Sequence, residues 1–167
     1  MPLWLDSHHE TDLQRVEARR RIYREYLDSI AEFLPPATKY FALSEWYYSD
    51  EDKCPHDAWV ESLEVYERSS GVRGETRSIH VTIRLLSAWH RGHVFLRYEN
   101  VIGYHLGCSS DLMSSKEKHG DWMTDEITLA SDRTVLHEIS FSSGTLWRIR
   151  CSSISYEYVP LSPNEPT

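Results

Sequence analysis

The sequence predicts an α+β fold, mostly β: an N-terminal helix packed on a curved antiparallel β-meander or small barrel of about 6–8 strands. Three observations carry this expectation. Apolar residues follow a 3-4 spacing over residues 11–34 and then meet Pro35-Pro36. Beyond the prolines the period shortens to two, in short runs joined by turn residues. The chain is also rich in rings, with 6 Trp and 10 Tyr, which give a small β-rich core the buried area it needs.

In the helix, Leu13, Val16, Tyr23, Leu27, Ile30 and Leu34 share one face, with Arg20 interrupting the stripe and Ile22, Tyr26 and Phe33 widening it. Asp12 suits the positive end of the helix dipole, and the prolines end the helix because neither donates a backbone bond. Tyr40–Tyr48 is an aromatic stretch expected to form a first strand. Trp59–Arg68 alternates as a strand, followed by the loop SSGVRGETRS. Ile79, Val81, Ile83 and Leu85 then line one face of a strand. After the turn WHRGH, Val94, Leu96 and Tyr98 line one face of the next, making this the clearest hairpin. Four more strand segments follow: VIGYHL, WMTDEITLA, TVLHEISF and LWRIRCSSISYEY. The last is too long for one strand and is expected to break at Ser152-Ser153. The whole reads as a single domain, 1–167, with its β region over 40–160 and a proline-rich frayed tail over 161–167.

Net charge is −8, and its distribution is uneven. Between Glu45 and Glu67 stand eight acids against the single base Lys53. A field of that sign repels nucleic acid and membrane surfaces and attracts a basic partner, though a solvated acidic loop is the plainer explanation. The arginines of the helix are offset by Glu10, Asp12, Glu17, Glu25, Asp28 and Glu32, so they do not form a nucleic-acid face. The start, MPLWLDSHHE, lacks the apolar core of a signal peptide, and no stretch approaches a membrane span. Three widely spaced cysteines without a CxxC pair fit a reducing, cytoplasmic setting.

Markers of catalysis are absent: no GxSxG, no P-loop and no GxGxxG occurs. The chain is therefore expected not to be an enzyme and to need no cofactor. Cys54 near His56 lies among acids, which oppose thiolate formation. Asp57 is expected to cap a short helical turn. His90 and His93 form an HxxH pair in a turn, with His80, His105 and His137 in neighbouring strands. Were they to converge, they would suit a metal- or small-ligand-binding barrel, with enzymatic use of the histidines as one form of it, and this is the alternative function. His137 shares the phase of Val135, Ile139 and Phe141, so it reads as a core histidine hydrogen-bonded to backbone.

The segments CPHDAWVESLEV, IRLLSAWHRGHVFLRYENVIGYHL, HGDWMTDEI and LHEISFSSGTLWRIRCSSISYEYVPL together resemble a group of small bacterial proteins of unknown function, over roughly residues 54–160. Small acidic bacterial proteins of this kind include immunity proteins, which bind and neutralise a cognate toxin. The resemblance implies no catalytic residues. With the charge pattern, it leads to the expectation of a non-catalytic protein that binds a basic toxin or effector. Asp50, Glu51, Asp52, Asp57, Glu61 and Glu64 would steer the partner, and Trp46, Tyr48 and Trp59 would anchor it. A subunit docking through the exposed part of the helix is a third expectation.

Overall fold

The computed structural model describes residues 13–107 and 119–162. Residues 11 and 12 of the expected helix start, the segment 108–118 with Cys108, and residues 163–167 of the expected frayed tail lie outside the described residues. The described chain is α+β and mostly β, with helices α1 (Leu13–Ile30) and α2 (Pro36–Ala42), and strands β1 (Trp59–Ser70), β2 (Thr76–Leu86), β3 (Gly92–Val101), β4 (Gly103–Gly107), β5 (Trp122–Leu129), β6 (Val135–Phe141), β7 (Leu146–Cys151) and β8 (Ser153–Pro160).

Two expectations about the first 48 residues are corrected. The helix stops at Ile30 and does not run on to Leu34. Its end tightens into three-residue hydrogen bonds, Ala31 N–H to Asp28 O at 3.4 Å and Phe33 N–H to Ile30 O at 2.9 Å. Pro35 also bars Leu34 from helical backbone. The second proline then opens a new helix, because Pro36 occupies a first-turn position where no N–H is needed. Thr38, Phe41 and Ala42 of α2 are buried, a 3-4 spacing inside the stretch expected to be a strand. A 3-10 turn, Glu45–Tyr48, completes that stretch.

The strands make two four-stranded antiparallel sheets, ordered β1-β2-β3-β8 and β4-β7-β6-β5. Among the described residues they do not close into a barrel. One bent ribbon joins them: β3 continues into β4 as β7 continues into β8, and β3 pairs with β8 as β4 pairs with β7. Across the bend Ile102 N–H reaches Arg150 O at 2.8 Å and Ser152 N–H reaches Glu99 O at 2.9 Å. Asn100 turns the corner in the left-handed region (φ 48), its amide donating to Ser152 Oγ. The expected break after Cys151 is this bend. At their far edges, among the described residues, the sheets meet at the bridge of Trp59 to Asp121, beside which Trp122 N–H reaches Ala58 O at 3.0 Å.

The core lies between the sheets, with Ile83, Leu85, Val94, Leu96 and Tyr98 from one and Ile127, Ile139, Trp147 and Ile149 from the other. Those of β2 and β3, and Ile139 of β6, are the alternating positions that the sequence marks. Edges need separate treatment, because an edge strand presents unpaired backbone groups. The hydroxyl of Tyr23 accepts from Ile127 N–H and donates to Ile127 O (3.2 Å); Tyr26 Oη accepts from Leu129 N–H, and Tyr48 Oη donates to Asp125 O. Phenols on α1 and the 3-10 turn thus occupy the free edge of β5 in place of a strand. On β8, Thr38 Oγ1 plays the same part for both backbone groups of Ile154.

Removing one such hydroxyl leaves buried backbone groups without a partner, so Tyr23→Phe is expected to destabilise the fold by about 1–3 kcal/mol. Urea unfolding measures this, and a variant as stable as the parent would show that the edge does not depend on the phenol.

Candidate functional site

Beneath the surface, five side chains form a continuous hydrogen-bonded chain. Asp125 Oδ1 accepts from Trp122 Nε1 at 3.0 Å, while its Oδ2 accepts from the Tyr47 hydroxyl and meets His137 Nε2 at 2.8 Å. The other ring nitrogen of His137, Nδ1, lies 2.8 Å from Tyr98 Oη. An ionised carboxylate only accepts, so the arrangement that satisfies every proton puts the ring proton on Nε2 and has Tyr98 donate to Nδ1. Every member is buried. The histidine faces the core as its phase predicts, but its partners are side chains rather than backbone, and one of them comes from the opposite sheet.

Burial pushes the phenols of Tyr23, Tyr47, Tyr48 and Tyr98 well above the ordinary tyrosine value of 10.0, and the Asp125 carboxylate adds to the effect in each case. Burial likewise raises the Cys54 thiol to about 11, with its Sγ 3.2 Å from Tyr47 O, so it stays protonated at neutral pH.

Above this chain opens a cleft of about 310 Å³, lined by Arg20, Tyr48, Ser49, Asp50, Glu51, His56, Asp57, Ala88 and Trp89. Its shape follows from local choices. Tyr48 is held by its bond to Asp125 O at 2.8 Å, and the Arg20 guanidinium lies 5.7 Å from its ring centre. Trp89, on the turn between β2 and β3, donates from Nε1 to Asp50 O at 3.0 Å, yet its ring is 59% exposed. Asp57 has φ 60 and donates its N–H to Trp122 O, so it sits in a tight turn rather than capping a helix; its carboxylate meets His56 Nδ1 at 3.1 Å.

Of the residues singled out from sequence, the cleft gathers Tyr48, Asp50, Glu51 and Asp57. Asp52 stands beside them, paired with Arg91 at 3.1 Å. Trp59 is 49% exposed, its Nε1 on Asp121 and its ring edge-on to His90 at 4.5 Å. Trp46 is half-buried, its ring 4.4 Å from that of Tyr156. Glu61 lies out on the sheet between Arg84 and His93, and Glu64 is exposed further along β1. Arg20 and Trp89 also line the cleft without being among the expected binding residues, although the arginine leaves a trace in the sequence as the interruption in the apolar stripe.

The histidines are dispersed. His80 meets Glu99 at 2.9 Å on its own sheet, His90 rests on Trp59, His93 on Glu61, His105 is exposed on β4, and His137 is in the core. Among the described residues no three His, Cys, Asp or Glu side chains group as metal ligands, and no helix is long and apolar enough to cross a membrane.

A scan against protein-family models finds no match, and neither curated proteins nor solved structures provide one.

Two outcomes follow. Asp125→Ala strips three buried neutral donors of their acceptor and, at about 1–3 kcal/mol for each unsatisfied group, is expected to destabilise the fold by about 3 kcal/mol or more, read as a lower urea midpoint. The four phenols bind their protons more tightly folded than unfolded. Their contribution is therefore complete below pH 10 and is lost as the pH climbs past that value. Stability is expected to fall above pH 10, with phenolate absorbance of these residues appearing together with unfolding; their ionisation in a still-folded protein would contradict this.

Proposed function

We propose that the chain is a non-catalytic protein-binding protein, an immunity-type inhibitor that takes a basic toxin or effector on its acidic aromatic cleft. One observation carries the reading: Asp50, Glu51 and Asp57 converge on a cleft walled by Tyr48 and the exposed ring of Trp89. Carboxylates beside ring faces suit the ammonium or guanidinium of a partner's Lys or Arg, which gains charge pairing and ring contact together. Trp59 and Trp46 do not line this cleft; in this reading they are further anchors for the partner. Glu64 adds to the negative field, whose reach is about 8 Å at physiological salt, and so favours encounter more than affinity, whereas Asp52 and Glu61 are offset by Arg91 and Arg84 and would have to exchange those partners. The two buried free thiols, Cys54 and Cys151, are compatible with a cytoplasmic setting.

Reversing three charges at the cleft tests the proposal. The parent and the D50K/E51K/D57K variant are used side by side for affinity capture from host extract, with mass spectrometry of the eluates and thermal melts of both proteins. The expected result is one stoichiometric basic protein retained by the parent and lost by an equally stable variant. Retention by the variant ends the reading, as does a parent that elutes alone while carrying a metal or small molecule.

A further inference from the structure

We infer that the free edge of β1 pairs with the β1 of a second copy of this chain, antiparallel and in a register centred on Tyr66, to make one continuous sheet through a two-fold axis.

The four outer edges of the two sheets are not treated alike. Those of β5 and β8 are filled by hydroxyls of Tyr23, Tyr26, Tyr48 and Thr38. The edge of β4 is only five residues long, with a glycine at either end. That of β1 is part of a strand of 12 residues, and among the described residues it is met only at its start, by the Trp59 bridge to Asp121. A long, uncovered edge is a template for another strand.

Charge says which strand. Along β1, Glu61 is taken by Arg84 and His93, and Glu67 by Arg77. Glu64 and Arg68 have no ion-pair partner among the described residues; the arginine rests on the ring and hydroxyl of Tyr66. These two opposite charges lie on one face of the strand, each two positions from Tyr66. Antiparallel pairing about Tyr66 therefore sets Glu64 of one copy opposite Arg68 of the other, twice, with the two Tyr66 rings face to face between them. A two-fold interface must be complementary to itself, and this stretch of β1 is. Slipping the register by two residues on either side loses both pairs. On the reverse face, Val65, which is 40% exposed, comes opposite the aliphatic stem of Glu67.

Sedimentation across a concentration series tests the inference on the full chain, comparing the parent with Glu64→Arg, Arg68→Glu and the double exchange E64R/R68E. Both positions are exposed, and circular dichroism checks that each variant keeps the fold. The parent is expected to dimerise, more weakly as salt rises. Each single reversal sets like charges opposite one another and is expected to weaken association by about tenfold or more, and the double exchange to restore it. A parent that stays monomeric throughout the series overturns the proposal. So does a dimer indifferent to both single reversals, or a double exchange that recovers nothing.

Discussion

Holding the Asp125 carboxylate out of water constrains the parts of the structure around it. An ionised carboxylate in the interior is tolerated only when its lone pairs are met by donors. Here the donors come from three places: Trp122 on the same strand, His137 on the next, and Tyr47 on the 3-10 turn. Tyr98 then extends the chain across the core to the other sheet. One carboxylate thus ties a hydrogen-bonded chain that spans the two sheets and the 3-10 turn. The backbone carbonyl of the same residue holds Tyr48, so the wall of the surface cleft is set from below by the core.

Besides burying apolar side chains such as Leu27 and Phe41, the helices act on the sheets through polar tips. Tyr23 and Tyr26 bury their rings against the core or its margin, yet what each delivers to β5 is a hydroxyl aimed at a strand edge. This explains why Tyr23 and Tyr26 are tyrosines. Phenylalanine would fill the same space and leave the strand's N–H and C=O groups without partners. Thr38 makes the same point in miniature, since valine would match its shape but not its bonds.

Much of the β region is legible in the sequence, because a strand buried on one side must alternate. The phases of Val81-Ile83-Leu85 and Val94-Leu96-Tyr98 mark the core directly, and Ser152-Ser153 marks the bend. The misreading of Tyr40–Tyr48 has a physical cause. Aromatic residues favour strands in general, but Pro36 at a first-turn position outweighs that preference here. The cleft is half legible: local charge density points to Asp50, Glu51 and Asp57, whereas Arg20 and Trp89 join them only through tertiary contacts. Nothing in the chain's periodicity distinguishes Asp125 from a surface acid, since its burial depends on donors 12 and 78 residues away.

The bent ribbon also has a consequence for how the protein is made. β3 pairs with β8, joining Gly92 to Pro160, and Thr38 closes on Ile154. During synthesis the first three strands leave the ribosome well before their last partner exists. The corner that joins both sheets cannot form until the final strand has emerged. Until then the nascent chain carries an apolar face and an open strand edge together, a state in which neighbouring chains compete with the missing strand.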